Sequence, residues 1–160
     1  MLESIINLVR EHAGDAIVNN PAIPNEHNEA VTAEAGNSIL EGLKNMISQG
    51  QAQDVLSLLS HPSGDFQSHP AVQNISAGFI QNLVSKFGID PAAASGVASN
   101  LIPTVLQNLV SKTNDTADSS FSLENIAGQL TGGQGLQGLL GSFGQGGGAG
   151  VMDKLKGLFQ

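Results

Sequence analysis

The residues of this chain that could do chemistry are 4 histidines and 14 carboxylates, with no cysteine at all. His61, Asp65 and His69 form an H-x3-D-x3-H run, which on a helix would put three metal ligands on one face. Pro62, Ser63 and Gly64 interrupt that run, so the segment reads as a loop whose histidines are loop and cap residues. His12 stands at the edge of an apolar stripe and reads as a boundary side chain bonded locally or to water. His27, with Glu26 and Glu29, reads as a solvated first turn, where the helix dipole favours acids. The carboxylates are scattered singly, with no pair placed to divide acid and base roles. No serine lies in Gly-x-Ser-x-Gly, since Ala94-Ser95-Gly96 falls inside a helical pattern rather than on a strand-to-helix elbow. Gly132-Gly133-Gln134-Gly135 lacks the Gly-Lys-Ser/Thr and the preceding strand of a phosphate loop. Without cysteine there is no disulfide, thiolate metal site or cysteine nucleophile, which suits a reducing compartment; a cytoplasmic location is expected. The expectation is a chain that is not an enzyme, with no catalytic residue, no metal and no cofactor.

The elements that would have to position any site are helices. From Ser68 to Lys112 two apolar helices meet at Phe87-Gly88-Ile89-Asp90-Pro91. In the first, Val72, Ile75, Phe79, Ile80, Leu83, Val84 and Phe87 recur every three or four residues, which places them on one helical face. Ser68 or His69 can cap it, with Pro70 in the first turn, where a missing N–H costs nothing. Gly88 suits the left-handed residue that ends it, Asp90 caps the next helix and Pro91 takes its first position. The second helix carries Ala94, Val97, Ala98, Leu101, Val105, Leu109 and Val110, widened by Ile102 and Leu106. Gln81-Asn82-Leu83-Val84-Ser85-Lys86 recurs as Gln107-Asn108-Leu109-Val110-Ser111-Lys112, and the same offset pairs Ile75 with Leu101 and Phe79 with Val105. The repeat stops at Lys112, so it is one duplicated helix or a coincidence of similar faces, not a solenoid. Pro103 removes a backbone donor and crowds the Ser99 carbonyl, and because the stripe continues in phase a kink is expected rather than a break.

Phe87-Gly88-Ile89-Asp90-Pro91, then Ala92-Ala93-Ala94-Ser95, then Leu101-Ile102-Pro103-Thr104-Val105-Leu106-Gln107-Asn108-Leu109 resembles the core of the YidB-like bacterial proteins. That family sets a hydrophobic-Gly-hydrophobic-Asp turn before a helix with a Leu-x-Pro-x-hydrophobic-hydrophobic segment. Met152-Asp153-Lys154-Leu155-Lys156-Gly157-Leu158-Phe159 is similar to its short C-terminal helix. The resemblance covers mainly residues 68–112 and 151–159. It implies an all-helical bundle and carries no catalytic or binding residue, because the family is a domain of unknown function.

Around the hairpin, Leu2, Ile5, Ile6, Val9, Ala13, Ala16 and Ile17 make the inner face of a first helix. The opening decapeptide has an acid where a secretion signal has bases, and its apolar residues are periodic, so neither a signal peptide nor a membrane span is expected. Asn19-Asn20-Pro21-Ala22-Ile23-Pro24 ends that helix. A second runs from about Asn25 to Gln49, with Glu26, Glu29 and Glu34 in its early turns and with Gly36 and Gly42 either weakening it or admitting a close neighbour. A short helix follows from about Gln51 to Leu59. Thr113 to Ser120 reads as a loop, and Ser122 caps a helix from Leu123 to about Leu130. Half of the 20 glycines then lie between Gly132 and Gly150, a stretch costly in backbone entropy to order. The fold expected is all-α: a single multihelical bundle of about six helices over 1–130, a Gly-rich linker over 131–150, and a short amphipathic helix over 151–160. Its core would hold Ile75, Phe79, Leu83, Phe87, Ile89, Val97, Leu101, Val105 and Leu109.

Charged residues are only 12%, with 6 basic against 14 acidic and a formal charge of −8, well below the roughly 25% of ordinary soluble proteins. No basic cluster could reverse that repulsion from phosphate, and Trp and Tyr are absent, so nucleic acid is not an expected partner. What remains is a protein acting through protein–protein contacts, itself included, as a homo-oligomer or filament. The contact residues would be Leu136, Leu139, Leu140, Phe143, Leu155, Leu158 and Phe159, on a flexible leash that permits exchange between molecules. Two alternatives stay open. One is weak membrane association of 151–159 through Lys154 and Lys156; the other is a small-ligand site assembled across helices.

Overall fold

The computed structural model describes residues 2–60, 65–115, 122–130 and 132–133. Six α-helices and no strand occur among them: α1 Leu2–Ala13, α2 Asn28–Ser48, α3 Ala52–Ser60, α4 Pro70–Phe87, α5 Pro91–Thr113 and α6 Leu123–Leu130. The all-α bundle is thus the architecture of the described chain. α1, α2, α4 and α5 pack in a closed ring, each against the next, while α3 lies against α2, α4 and α5 and α6 rests on α2. No helix among the described residues is long and apolar enough to cross a membrane.

The turns between α4 and α5 follow from local chemistry. His69 caps α4 through Nδ1, which accepts from the Ala71 N–H at 3.2 Å. Gly88 ends it at φ +65, a left-handed conformation that costs a residue with a Cβ roughly 1–2 kcal/mol. The Ile89 N–H then donates back to the Leu83 carbonyl at 3.2 Å and the Ile89 side chain is buried, which folds the turn onto the core. Asp90 Oδ1 accepts from the Ala92 N–H at 2.9 Å and starts α5 one residue before Pro91. α5 continues without interruption through Pro103. The carbonyl that loses its partner belongs to Ser99, an exposed residue within reach of water.

The core contains Ile75, Phe79, Leu83, Ile89, Val97, Leu101, Val105 and Leu109. Phe87, expected with them, is only half-buried and packs at the margin, its ring edge-on to His27 at 5.8 Å. The stripe of α1 also differs from its expected form. Leu8 is buried, whereas Leu2 and Ile6 are half-buried, because the helix is flanked by both α2 and α5 and turns a different arc inward. Two residues that read as loop, Ile23 and Phe66, are buried and pin their connections to the core. The repeated hexapeptides keep one burial register: Leu83 and Leu109 face inward while Gln81, Ser85, Gln107 and Ser111 are exposed.

Gly36 and Gly42 are where helices approach. A Cβ on Gly36 would lie 2.7 Å from Ile6 Cγ1, and one on Gly42 would overlap Ile75 Cγ1. No other residue fits the α1–α2 and α2–α4 seams without one helix moving.

Candidate functional site

The α2–α4 seam holds the most developed polar cluster among the described residues. Glu34, one of the three acids read in the early turns of this helix, is buried. Lys86 Nζ donates to both of its carboxylate oxygens at 3.0 Å, Asn82 Nδ2 donates to Oε1 at 2.8 Å, and Asn82 also approaches Ser38 Oγ at 3.4 Å. Three donors on one carboxylate offset the desolvation of its charge. The arrangement clamps α4 to α2. One α-helical turn period sets Glu34 and Ser38 on one side and Asn82 and Lys86 on the other, so the pairs interdigitate. Beyond Ser38 the seam opens into a groove of about 250 Å³ lined by Glu41, Asn45, Gln49, Asn74, Gly78 and Asn82, over a floor that includes Met46 and Ile75.

A second cleft lies where α1 meets α5. After Ala13 the chain makes a π-helical turn, Gly14–Val18, closed by the Asn19 N–H on the Gly14 carbonyl at 2.8 Å. His12, Asp15 and Ala16 from this end face Asn100, Leu101 and Thr104 of α5 across a cleft of about 310 Å³. His12, the boundary residue of the sequence, is half-buried at its wall.

The remaining candidates do not converge. Of His61, Asp65 and His69, the first lies outside the described residues. Asp65 accepts from Ser68 Oγ at 2.8 Å, and His69 is occupied as the α4 cap. Among the described residues no group of three or more His, Asp or Glu is placed to hold a metal ion. His27 Nε2 lies 3.8 Å from Glu26 Oε1, and Glu29 pairs with Arg10 at 3.6 Å. Both are surface pairs of little energetic weight. Leu136, Leu139, Leu140, Phe143, Leu155, Leu158 and Phe159 all lie outside the described residues.

Sequence reasoning missed the Glu34 cluster for a definite reason. Its partners come from 48 and 52 residues away, and only the match of a buried acid to a lysine on a facing helix defines it. The one available signal was that Glu34 shares the helical face of Val31, Ala35 and Ser38 rather than the outer face. Neither a protein-family model, nor a curated protein, nor a solved structure matches this chain.

Proposed function

We propose that this chain is a YidB-like bacterial helical bundle that acts without catalysis, through protein–protein contacts that include contacts with its own copies. The observation that carries this reading is the outer surface of α4 and α5. From Pro70 to Ser111 the only charged residues are Lys86 and Asp90. Five of the polar side chains there are bonded back to their own helix. Ser85 donates to the Gln81 carbonyl, Ser99 to Ser95, Asn100 to Gly96, Thr104 to Asn100 and Asn108 to Thr104, at 2.7–3.0 Å. A partner covering such a surface strips water from almost no charge, so the desolvation of ions opposes association weakly. Among the described residues Val18 is the only large hydrophobic side chain that is exposed. The apolar anchors for assembly are then assigned to Leu136, Leu139, Leu140, Phe143, Leu155, Leu158 and Phe159.

Light scattering coupled to size-exclusion chromatography, over a range of concentrations, tests this on the full chain and on the variant Leu155→Asp/Leu158→Asp/Phe159→Asp. The expected result is a concentration-dependent oligomer for the first and a folded monomer for the second. A full chain that stays monomeric at every concentration would remove self-assembly from the reading.

A further inference from the structure

The groove between α2 and α4 is lined by side chains that the fold leaves unpaired. Elsewhere on α4 and α5, Asn82, Asn100 and Asn108 donate to Glu34, to the Gly96 carbonyl and to the Thr104 carbonyl. Asn45, Gln49 and Asn74, which line the two walls of the groove, are exposed, and their side-chain amides bond to no described residue. Each carries both a donor and an acceptor, the same pair of groups that a peptide unit carries. Between the walls the floor is Met46 and Ile75, and Gly42 and Gly78 put no side chain into the opening. Glu41 is the one formal charge among the lining residues. Such a groove fits an uncharged stretch of chain that offers uncovered peptide groups to the amides and apolar side chains to the floor.

The chain itself holds such a stretch, and holds it close by. α6 rests on α2, with Ala127 against Ala52 and Ile47 beside them, and the Gly133 N–H closes the end of α6 on the Gly128 carbonyl. Gly133 therefore leaves the chain near the C-terminal end of α2, where Gln49 stands at one end of the groove. Gln134–Phe143 contains no charged residue. Gly135, Gly138 and Gly141 leave its peptide groups uncovered, and Leu136, Leu139, Leu140 and Phe143 supply apolar side chains. From Ser38 to Gln49 a helix rises about 16 Å, and Gln134–Phe143 covers about 15 Å even as a helix, so the lengths match. We propose that Gln134–Phe143 docks along the α2–α4 groove of its own molecule, with its peptide groups on Asn45, Gln49 and Asn74 and its apolar side chains on Met46 and Ile75. The inference rests on the reading of these leucines as contact residues, and it stands whether or not the chain self-associates.

Nitroxide broadening of amide NMR signals reads the docking on the full chain, which has no cysteine, so that Ser142→Cys gives a single attachment site. With the nitroxide active, the signals of Asn45, Gln49, Asn74 and Gly78 are expected to weaken, while those of Asp15 and Thr104, at the α1–α5 seam, keep their intensity. Adding Gly78→Glu is expected to restore the signals of Asn45, Gln49 and Asn74, because it fills the opening and sets a charge under the segment. A Cβ at Gly78 meets nothing within 4 Å, so the helix has room for it, and circular dichroism checks that the variant is folded. A mixture of nitroxide-bearing chain with isotope-labelled chain that carries no nitroxide reads contacts between molecules, and no weakening is expected there. Weakening in the mixture as strong as within one chain would seat a neighbour's segment in the groove and overturn the proposal. No weakening at the groove, weakening spread over the whole surface, or weakening that survives Gly78→Glu would each overturn it as well. A full chain that stays monomeric in light scattering removes self-assembly alone, so the two readings fail separately.

Discussion

Replacing the helical glycines by alanine, one at a time, separates close packing from simple helix propensity, and the structure assigns opposite signs to two pairs. At Gly78 and Gly96, both exposed, an added Cβ meets nothing within 4 Å. There alanine gains helix propensity alone, about 0.8–1 kcal/mol. At Gly42 the new methyl overlaps Ile75 Cγ1 and also lies 3.4 Å from Ile75 Cβ; at Gly36 it lies 2.7 Å from Ile6 Cγ1 and 3.4 Å from Ile6 Cα. In both cases the obstructing atom sits near the root of a β-branched chain and cannot swing aside, so the helices must shift. Overpacking of that kind costs about 1–3 kcal/mol, which outweighs the propensity gain and leaves each variant destabilised by about 1 kcal/mol. The two pairs should therefore differ by about 2 kcal/mol, or about 4–8 °C in melting temperature for a chain of this size. Thermal and urea denaturation followed by circular dichroism measures this. Ile75→Ala should also relieve Gly42→Ala, with a coupling of about 0.5–3 kcal/mol in a double-mutant cycle. If Gly42→Ala stabilises as much as Gly78→Ala, α2 and α4 do not meet at that distance and the argument for the seam is refuted.

Two further outcomes follow from the same contacts. Lys86→Met leaves the Glu34 carboxylate with Asn82 as its remaining side-chain donor. Because the Lys86 side chain is 55% exposed, the loss should be about 1–2 kcal/mol, below the cost of breaking a fully buried pair. Adding Glu34→Gln to that variant should recover part of it, and a larger loss in the double variant would show that the pair is not coupled. At the hairpin, Gly88→Ala should cost about 1–2 kcal/mol from its positive φ alone, since nothing crowds the position, and Asp90→Ala about 1 kcal/mol from the lost cap. Gly88→Asn should lose less than Gly88→Ala, and equal losses would mean that the turn is not left-handed there.

The amino-acid order was sufficient for the elements and for most of their ends. Apolar residues at three- and four-residue spacing specify which segments are helical, and His69, Gly88, Asp90, Pro91 and Ser122 act on backbone groups within a few residues of themselves. Such chemistry is local and is legible in one dimension. The core residues of α4 and α5 were legible for the same reason, with Phe87 displaced to the margin because its position ends the helix beside His27. What only the tertiary structure decided depends on which faces meet. Glu34 was one early-turn acid among three until Asn82 and Lys86 were brought to it across 48 and 52 residues. Gly36 and Gly42 could have been weak points or contact points, and Ile6 and Ile75 resolve them as contacts. His12, Asp15, Asn100 and Thr104 are far apart in sequence and line one cleft only where α1 ends against α5. Long-range pairing of this sort follows from the packing of whole helices, a free-energy balance over many side chains that no single stretch of the chain encodes.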